Sequence, residues 1–294
     1  VRVTAGAVNR QVLSEPGAVV YIRTGRITMN ELLRFTDVHF AYGEEEPKVF
    51  SGLDISVPEG TTALLGPNGS GKTTFLLLAG GRLLPQQGSV RLIDEDTKRL
   101  QDETLRNRYA SFIYQNMEFE TEEPVGALLE MVHQQGFFEK KDPDLIPQLK
   151  RVLELDHVTN RRTQELSKGE LQRVIIAFAV LYGSKTLMMD EPIFALEQHQ
   201  KEGAMDFLQG FAADQGISLL YSVHELDISR RYANRILLFH PREGVELGTV
   251  EELTSREKLE QTYEVPYHTL YRRERLFRDG LLQLSEHERK QDGE

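Results

Sequence analysis

Residues 61–73 read Thr61-Thr62-Ala63-Leu64-Leu65-Gly66-Pro67-Asn68-Gly69-Ser70-Gly71-Lys72-Thr73. A short apolar strand runs straight into a glycine-rich turn, and a helix-compatible run, Lys72 to Ala79, follows it. From Gly66 onward the stretch fits G-x-x-x-x-G-K-[ST] at every fixed position. The glycines let the backbone curl so that consecutive N–H groups point at phosphate oxygens, and the following helix adds its positive end. Lys72 is placed to reach the β and γ phosphates, and the Thr73 hydroxyl to ligate Mg²⁺. Strand before and helix after are the context such a loop requires. The stretch therefore predicts a nucleoside-triphosphate site over Gly66–Thr74, the positions of Pro67, Asn68, Ser70 and Thr74 included.

Working outward, Thr186-Leu187-Met188-Met189 is a second short apolar strand, and it ends in Asp190-Glu191-Pro192. Two adjacent acids at the end of a buried strand are costly unless a metal or hydrogen bonds hold them. Beside a phosphate loop, Asp190 is expected to support Mg²⁺ and Glu191 to polarise the attacking water. A further strand candidate spans Ser218–Ser222, with a helical stretch, Glu197–Ala213, between the two. Strand, helix, strand at this spacing predicts a parallel α/β sheet. Before the loop, Phe35, Val38 and Phe40, then the alternating Leu53, Ile55 and Val57, read as strand over 31–57. Residues 116–165 turn Glu-rich and then helical, in Val125–Gln135 and Leu145–Leu155, with Asp142-Pro143 between them.

Composition bounds the function. The chain has 294 residues, 35 Lys+Arg against 46 Asp+Glu, a net charge of −11, and no Cys or Trp. An acidic balance argues against a broad phosphate-neutralising surface, so no nucleic-acid partner is expected. The missing cysteines exclude disulfides, thiolate metal sites and a Cys nucleophile. The longest strongly apolar stretch, Val174 to Gly183, has ten residues, while a membrane helix needs about 20. Any membrane role is thus expected through a partner chain. Residues 1–28, with four Arg and one Glu, are expected to lie outside the fold; the tail 271–294, with six basic and six acidic residues, reads as a solvated end.

Leu166-Ser167-Lys168-Gly169-Glu170-Leu171-Gln172-Arg173 opens an apolar helix, Val174 to Leu181, and makes a second anion-binding helix start. With the phosphate loop and the acidic strand it carries the resemblance: over roughly 31–266 the chain resembles the ATP-binding cassette (ABC) ATPases, the nucleotide-hydrolysing subunits of ABC transporters. The loop and the acidic strand match the two Walker motifs, and Ser-Lys-Gly-Glu is similar to the family's Leu-Ser-Gly-Gly-Gln signature, with Lys168 and Glu170 as departures. The resemblance implies that Ser167, Gly169 and Glu170 meet the γ-phosphate held by another subunit. It further places an adenine-stacking ring at Tyr42, a Mg²⁺- and water-sensing glutamine at Gln115, and a γ-phosphate-sensing histidine at His224. Glu197 stands where the family usually ends a loop in Asp.

The fold so implied is an α/β P-loop NTPase: a RecA-like parallel core with an antiparallel β subdomain, over residues 29–270, and a helical subdomain inserted at about 116–183. The function so implied is ATP hydrolysis, with ATP and Mg²⁺ bound and with Glu191, His224, Lys72 and Gln115 as its catalytic groups and Thr73, Gln115 and Asp190 as metal ligands. Its partners would be a second ATPase subunit, identical or not, and integral membrane permease subunits, with cargo recognition left to the permease or a solute-binding protein. Its place would be the cytoplasmic face of the cell membrane. Two other classes stay open: a non-transport single-cassette ATPase acting in assembly, and a regulatory nucleotide-binding module with weak hydrolysis, motivated by Glu197 and Lys168.

Overall fold

The computed structural model describes residues 30–115, 117, 119–241 and 244–270. The expected extension 1–28, the charged tail 271–294 and Asn116 lie outside the described residues. Strand β1 (Glu31–Phe40) pairs antiparallel with β2 (Phe50–Pro58), and Leu53, Ile55 and Val57 are buried in alternation as the pattern predicts. In β1 the buried step from Phe35 to Val38 breaks the period of two. The pairing register shifts there and Asp37 turns left-handed, φ 46°, so a bulge re-aims the side chains.

After β3 (Thr61–Leu65) and helix α1 (Lys72–Ala79), strand β4 (Gln87–Leu92) returns to pair with β1, and the two-residue β5 (Glu95–Asp96) pairs with β4. This antiparallel sheet has the order β2-β1-β4-β5. Helix α2 (Glu103–Tyr109) leads into β6 (Ala110–Ile113). Three helices follow: α3 (Val125–Gln135), α4 (Leu145–Val152) and α5 (Lys168–Leu181). Then come β7 (Thr186–Met189), α6 (Gln198–Gln215), β8 (Ser218–Ser222), α7 (Leu226–Tyr232) and β9 (Arg235–His240). Strand β10 (Gly244–Gly248), α8 (Val250–Leu253) and α9 (Arg256–Tyr263) complete the described chain.

The second sheet runs β10-β9-β3-β8-β7-β6. All its pairs are parallel except β10 with β9, so the expected parallel β7–α6–β8 unit is present. Both of its faces are covered. Leu64, Leu220 and Leu237 join α1 and the antiparallel sheet in one core, where Phe75 stacks on Phe35 at 4.4 Å and meets Phe239 edge-on at 5.5 Å. Ala63, Leu65, Leu219 and Tyr221 join α3 to α7 and α9 in the other. This two-sided burial is why β3, β7 and β8 read as continuous apolar runs rather than alternating ones.

Helix α4 stops three residues short of the predicted Leu155. Glu154 turns left-handed, φ 52°, the Leu155 amide donates to Lys150 O at 2.8 Å, and the Glu154 amide bonds Arg151 O at 3.4 Å. That is the usual glycine-terminated helix end made without glycine, so the sequence carries no signal for it.

Gly88, φ 82°, packs against the β1 bulge so closely that a Cβ would lie 2.2 Å from Asp37 O and 2.3 Å from Thr36 O. Gly88→Ala is expected to destabilise the chain by about 3 kcal/mol, combining left-handed strain with backbone overlap. The shift in the urea unfolding midpoint at unchanged slope measures it.

Candidate active site at the strand ends

In the strand order β8 lies between β3 and β7, with β6 beyond β7, and these four run parallel. Their carboxyl ends therefore emerge side by side, and ligands of open parallel sheets bind outside such ends. The loop after β3 begins at Gly66, that after β8 holds Val223-His224, that after β7 Asp190-Glu191, and that after β6 Tyr114-Gln115. Residues separated by up to 158 positions in sequence (66 to 224) thus become neighbours through topology alone.

Gly66, Gly69 and Gly71 all have positive φ, 148°, 75° and 99°. Gly71 caps α1, and a Cβ on Gly66 would lie 2.6 Å from Phe239 O, so both positions require glycine. Lys72, the first residue of α1, is buried and folds back on the loop: Nζ donates to Gly66 O at 2.8 Å and Pro67 O at 2.9 Å. Burial lowers its pKa from the ordinary lysine value, while the charges of Glu191 and Asp190 pull it back up. The Ser70 hydroxyl is buried with no hydrogen-bond partner, an orphaned polar group inside a phosphate-type loop. Tyr42 is 56% exposed; its hydroxyl bonds Thr74 Oγ1 at 3.0 Å while its ring stands edge-on to Phe40 at 5.1 Å. It is therefore not a core tyrosine, and its ring is open to a planar ligand beside the loop.

Across the sheet end, buried Asp190 accepts from Thr73 Oγ1 at 2.6 Å and from Ser222 Oγ at 2.5 Å. The same Ser222 oxygen accepts the Glu191 amide at 2.9 Å. Glu191 takes φ 50°, a left-handed conformation that costs a non-glycine residue about 1–3 kcal/mol. Its carboxylate is held from two sides, by His224 Nε2 at 2.7 Å and Gln115 Nε2 at 2.9 Å. So Thr73, Asp190, Ser222, Glu191, Gln115 and His224, spread over the sequence, form one hydrogen-bonded cluster, with the Lys72 charge acting on it.

Two members of this surrounding were missed by the sequence reading. Ser222 is the last residue of a buried strand and carries no motif signal, though it joins both acids. Lys201 is buried in α6 and pairs with Glu225, the neighbour of His224, at 2.5 Å. The Lys201 side chain thus ties the start of α6 to the loop after β8, while its amide makes the ordinary first-turn helix bond to Glu197 O at 2.9 Å.

The signature segment lies apart from this cluster. Ser167 caps α5, its hydroxyl accepting the Glu170 amide at 3.3 Å while Glu170 accepts the Ser167 amide at 2.8 Å. This reciprocal box explains a Glu at that position on local grounds. The Glu170 carboxylate also meets His157 at 2.8 Å and Arg161 at 3.3 Å. Burial would raise its pKa, but the Ser167 and His157 hydrogen bonds and the Arg161 charge outweigh it and hold Glu170 below the ordinary carboxylate value. Ser167 and Lys168 are exposed, and a Cβ on Gly169 would come within 3.0 Å of Ala195 O. Exposed Glu197 leads into α6, its amide donating to Gln200 Oε1 at 3.2 Å.

The donor set suits a hard divalent cation arriving with a nucleotide. Thr73 and Asp190 supply one hydroxyl and one carboxylate, already 2.6 Å apart, and the Gln115 side chain, bonded to Glu191 through Nε2, carries an amide oxygen as well. Among the described residues no cluster of three or more His, Cys, Asp or Glu could hold a metal by itself. Mg²⁺ is commonly bound in this way, through one or two protein oxygens plus substrate phosphates. Ser222→Ala strips a bond from buried Asp190 and leaves the Glu191 amide without its acceptor. A stability loss of about 2 kcal/mol is expected, read from chemical denaturation.

With this geometry in place, the likeness to known proteins is specific. Residues 50–194 match the family model described as ABC transporter. The petrobactin import ATP-binding protein FatE of Bacillus anthracis is 28% identical over 216 residues, 72% of this chain and 86% of that protein. The molybdenum import ATP-binding protein ModC of Pseudomonas savastanoi is 31% identical over 207 residues, 69% of this chain and 57% of that one. A Bacillus subtilis ATP-binding protein named for HMP/thiamine import is 27% identical over 84% of this chain but only 44% of its own length. The chain thus spans about half the length of two of these relatives. In fold it is similar to a solved ATP-binding subunit of an ABC transporter, TM-score 0.68 at 23% identity, covering 82% and 98% of the two chains. It is also similar to a dimeric ATP-binding cassette in a post-hydrolysis state with ADP and Pi, TM-score 0.64 at 22% identity, covering 74% and 99%. Matched in sequence by the family model and in fold by solved cassettes, this chain belongs to the ABC transporter family, as an ATP-binding cassette of the P-loop NTPase fold.

Proposed function

We propose that the chain is the ATP-hydrolysing subunit of an ABC transporter, working as a dimer on separate membrane permease subunits. The observation that carries this reading is the carboxylate of Glu191 held between Gln115 and His224 beside the phosphate loop. In the proposed mechanism the phosphates of ATP occupy the loop Gly66–Thr74, and Lys72 gives up its contacts to Gly66 O and Pro67 O for the phosphate oxygens. Tyr42 stacks on the adenine. Thr73, Asp190 and Gln115 would hold Mg²⁺, which when bound would supply charge neutralisation at the phosphates. Glu191 orients a water in line with the γ-phosphorus and accepts its proton, and His224 fixes that carboxylate while sensing the γ-phosphate. Donors prearranged where charge develops provide most of the rate.

Ser167 and Gly169 sit at an exposed helix start away from the cluster, which supports their use against ATP held by a second subunit. ATP then bridges two copies, and loss of the γ-phosphate removes the bridge. Glu170, committed to His157 and Arg161, takes the part of fixing that helix start. We assign residues 29–270 to the cassette, with a helical subdomain at about 116–183.

No described helix is long and apolar enough to cross a membrane. The likeness to import ATP-binding proteins supports placing the chain as a peripheral subunit on the cytoplasmic face. A groove of about 320 Å³ lined by Glu103, Asn107, Val132, Gln135, Phe137 and Tyr182 lies where α2 meets α3 and the end of α5. Tyr114, Met117 and Met131 are exposed in the same region, and we assign permease docking to it. The relatives named for petrobactin, molybdenum and HMP/thiamine share import and not cargo. The proposal is accordingly an importer whose solute is chosen by the permease or a solute-binding protein.

Glu191→Gln is expected to keep ATP binding, slow turnover by about 10²-fold or more, and dimerise with ATP and Mg²⁺ but not with ADP. Light scattering and phosphate release test this together. Wild-type turnover in the mutant would remove Glu191 from the role; a mutant that binds ATP yet stays monomeric would remove the ATP-bridged dimer.

A further inference from the structure

Helix α9 lies well beyond the matched segment 50–194 and enters none of the motifs above. It nonetheless reaches the root of the phosphate loop. Its last residue, Tyr263, accepts the main-chain N–H of Gly66 on its phenolic oxygen at 3.0 Å. The preceding residue, Thr262, bonds His240 Nδ1 at 3.1 Å through its hydroxyl. His240 directly follows Phe239, whose carbonyl is the atom that a Cβ on Gly66 would strike. Leu259, one turn earlier, is fully buried in the core, and Lys258 pairs with Glu246 of β10 at 2.7 Å. Two successive residues of one anchored helix therefore bond the Gly66 amide and the side chain of His240, the residue after Phe239.

Gly66 is buried and has left-handed φ, so its amide has few alternative acceptors without a change in loop conformation. Other ties at this root are the Ser70 amide to Pro67 O at 3.3 Å and the Lys72 contacts to Gly66 O and Pro67 O. The latter are the contacts Lys72 must release to meet a phosphate. At the moment of binding, the Tyr263 hydroxyl is what still fixes the first glycine of the loop.

We propose that Tyr263 is a positioning residue for nucleotide binding, holding the phosphate loop in its binding-competent conformation from outside the family motifs. The inference rests on the ATP-site reading above. Without the phenolic oxygen, the Gly66 amide is satisfied only when the loop leaves this conformation. The competent fraction falls, and apparent affinity falls by the same factor. Chemistry is untouched once nucleotide is bound, because Tyr263 reaches no group of the Glu191 cluster.

The test is Tyr263→Phe in the full chain, which keeps the ring and its packing and removes the hydroxyl alone. Equilibrium binding of ATP and of ADP is expected to weaken about fivefold, the size of one neutral hydrogen bond. Turnover at saturating ATP should stay unchanged and KM should rise with Kd. Thermal unfolding without nucleotide, run in parallel, separates positioning from stability. Unchanged affinity for ATP and ADP overturns the proposal, whatever the melting temperature does. So does a fall in turnover at saturating ATP with affinity unchanged. A wild-type chain that binds no ATP removes the site reading and this inference together, whereas wild-type binding matched by Tyr263→Phe removes this inference alone.

Discussion

A parallel sheet covered on both faces leaves its strand ends as the one place where the sheet itself can present polar chemistry. Here Leu64, Leu220 and Leu237 are committed to one core and Ala63, Leu65, Leu219 and Tyr221 to the other. Burying apolar surface of this kind, at about 25 cal/mol per Å², dominates the favourable side of folding. Most groups of the site are consequently displaced to the carboxyl ends of β3, β6, β7 and β8, in the loops that follow them and at the start of α1. The order of those strands, with β8 between β3 and β7, then decides which loops touch.

The polar groups at that edge are paired with one another and with the loop. Lys72 is satisfied by loop carbonyls, Thr73 by Asp190, and Glu191 by Gln115 and His224. Low-dielectric surroundings make unpaired polar groups expensive, and this mutual pairing offsets that cost. It also means that nucleotide binding exchanges bonds rather than filling a void. The left-handed Glu191 fits this picture: its strain is held by Ser222 on the main chain and by two side chains on the carboxylate. Over-determination of that kind is what allows a strained residue to persist at a functional position.

Legibility in the sequence followed locality. Strands β3, β7 and β8 and helices α1 and α3 have the ends their residue patterns predict, because each is bounded by a glycine turn, a proline or an acid pair. The end of α4 was not legible, since Glu154 adopts a conformation that its residue type does not advertise. Nor was the bulge in β1, where the irregular spacing of Phe35 and Val38 was visible but its cause, packing of Gly88 against Asp37, is a cross-strand contact. Gln115 and His224 were identified only through resemblance. A lone glutamine and a lone histidine carry no local signal, and it is their distances to Glu191 that give them meaning.

The sequence by itself determined the phosphate loop, the acid pair and the helix start at Ser167, because each depends on residues within one turn or one strand of each other. It also determined the parallel α/β class, because that follows from the order of consecutive elements. Only the tertiary structure decided that Ser222 joins both acids, that Lys201 ties α6 to the loop after β8, and that Tyr263 holds Gly66. These pairs are separated by 31, 24 and 197 positions for Glu191–Ser222, Lys201–Glu225 and Gly66–Tyr263. A hydrogen bond is satisfied by proximity in space, and serine, lysine and tyrosine are too common for their identity alone to reveal a partner brought near by strand order.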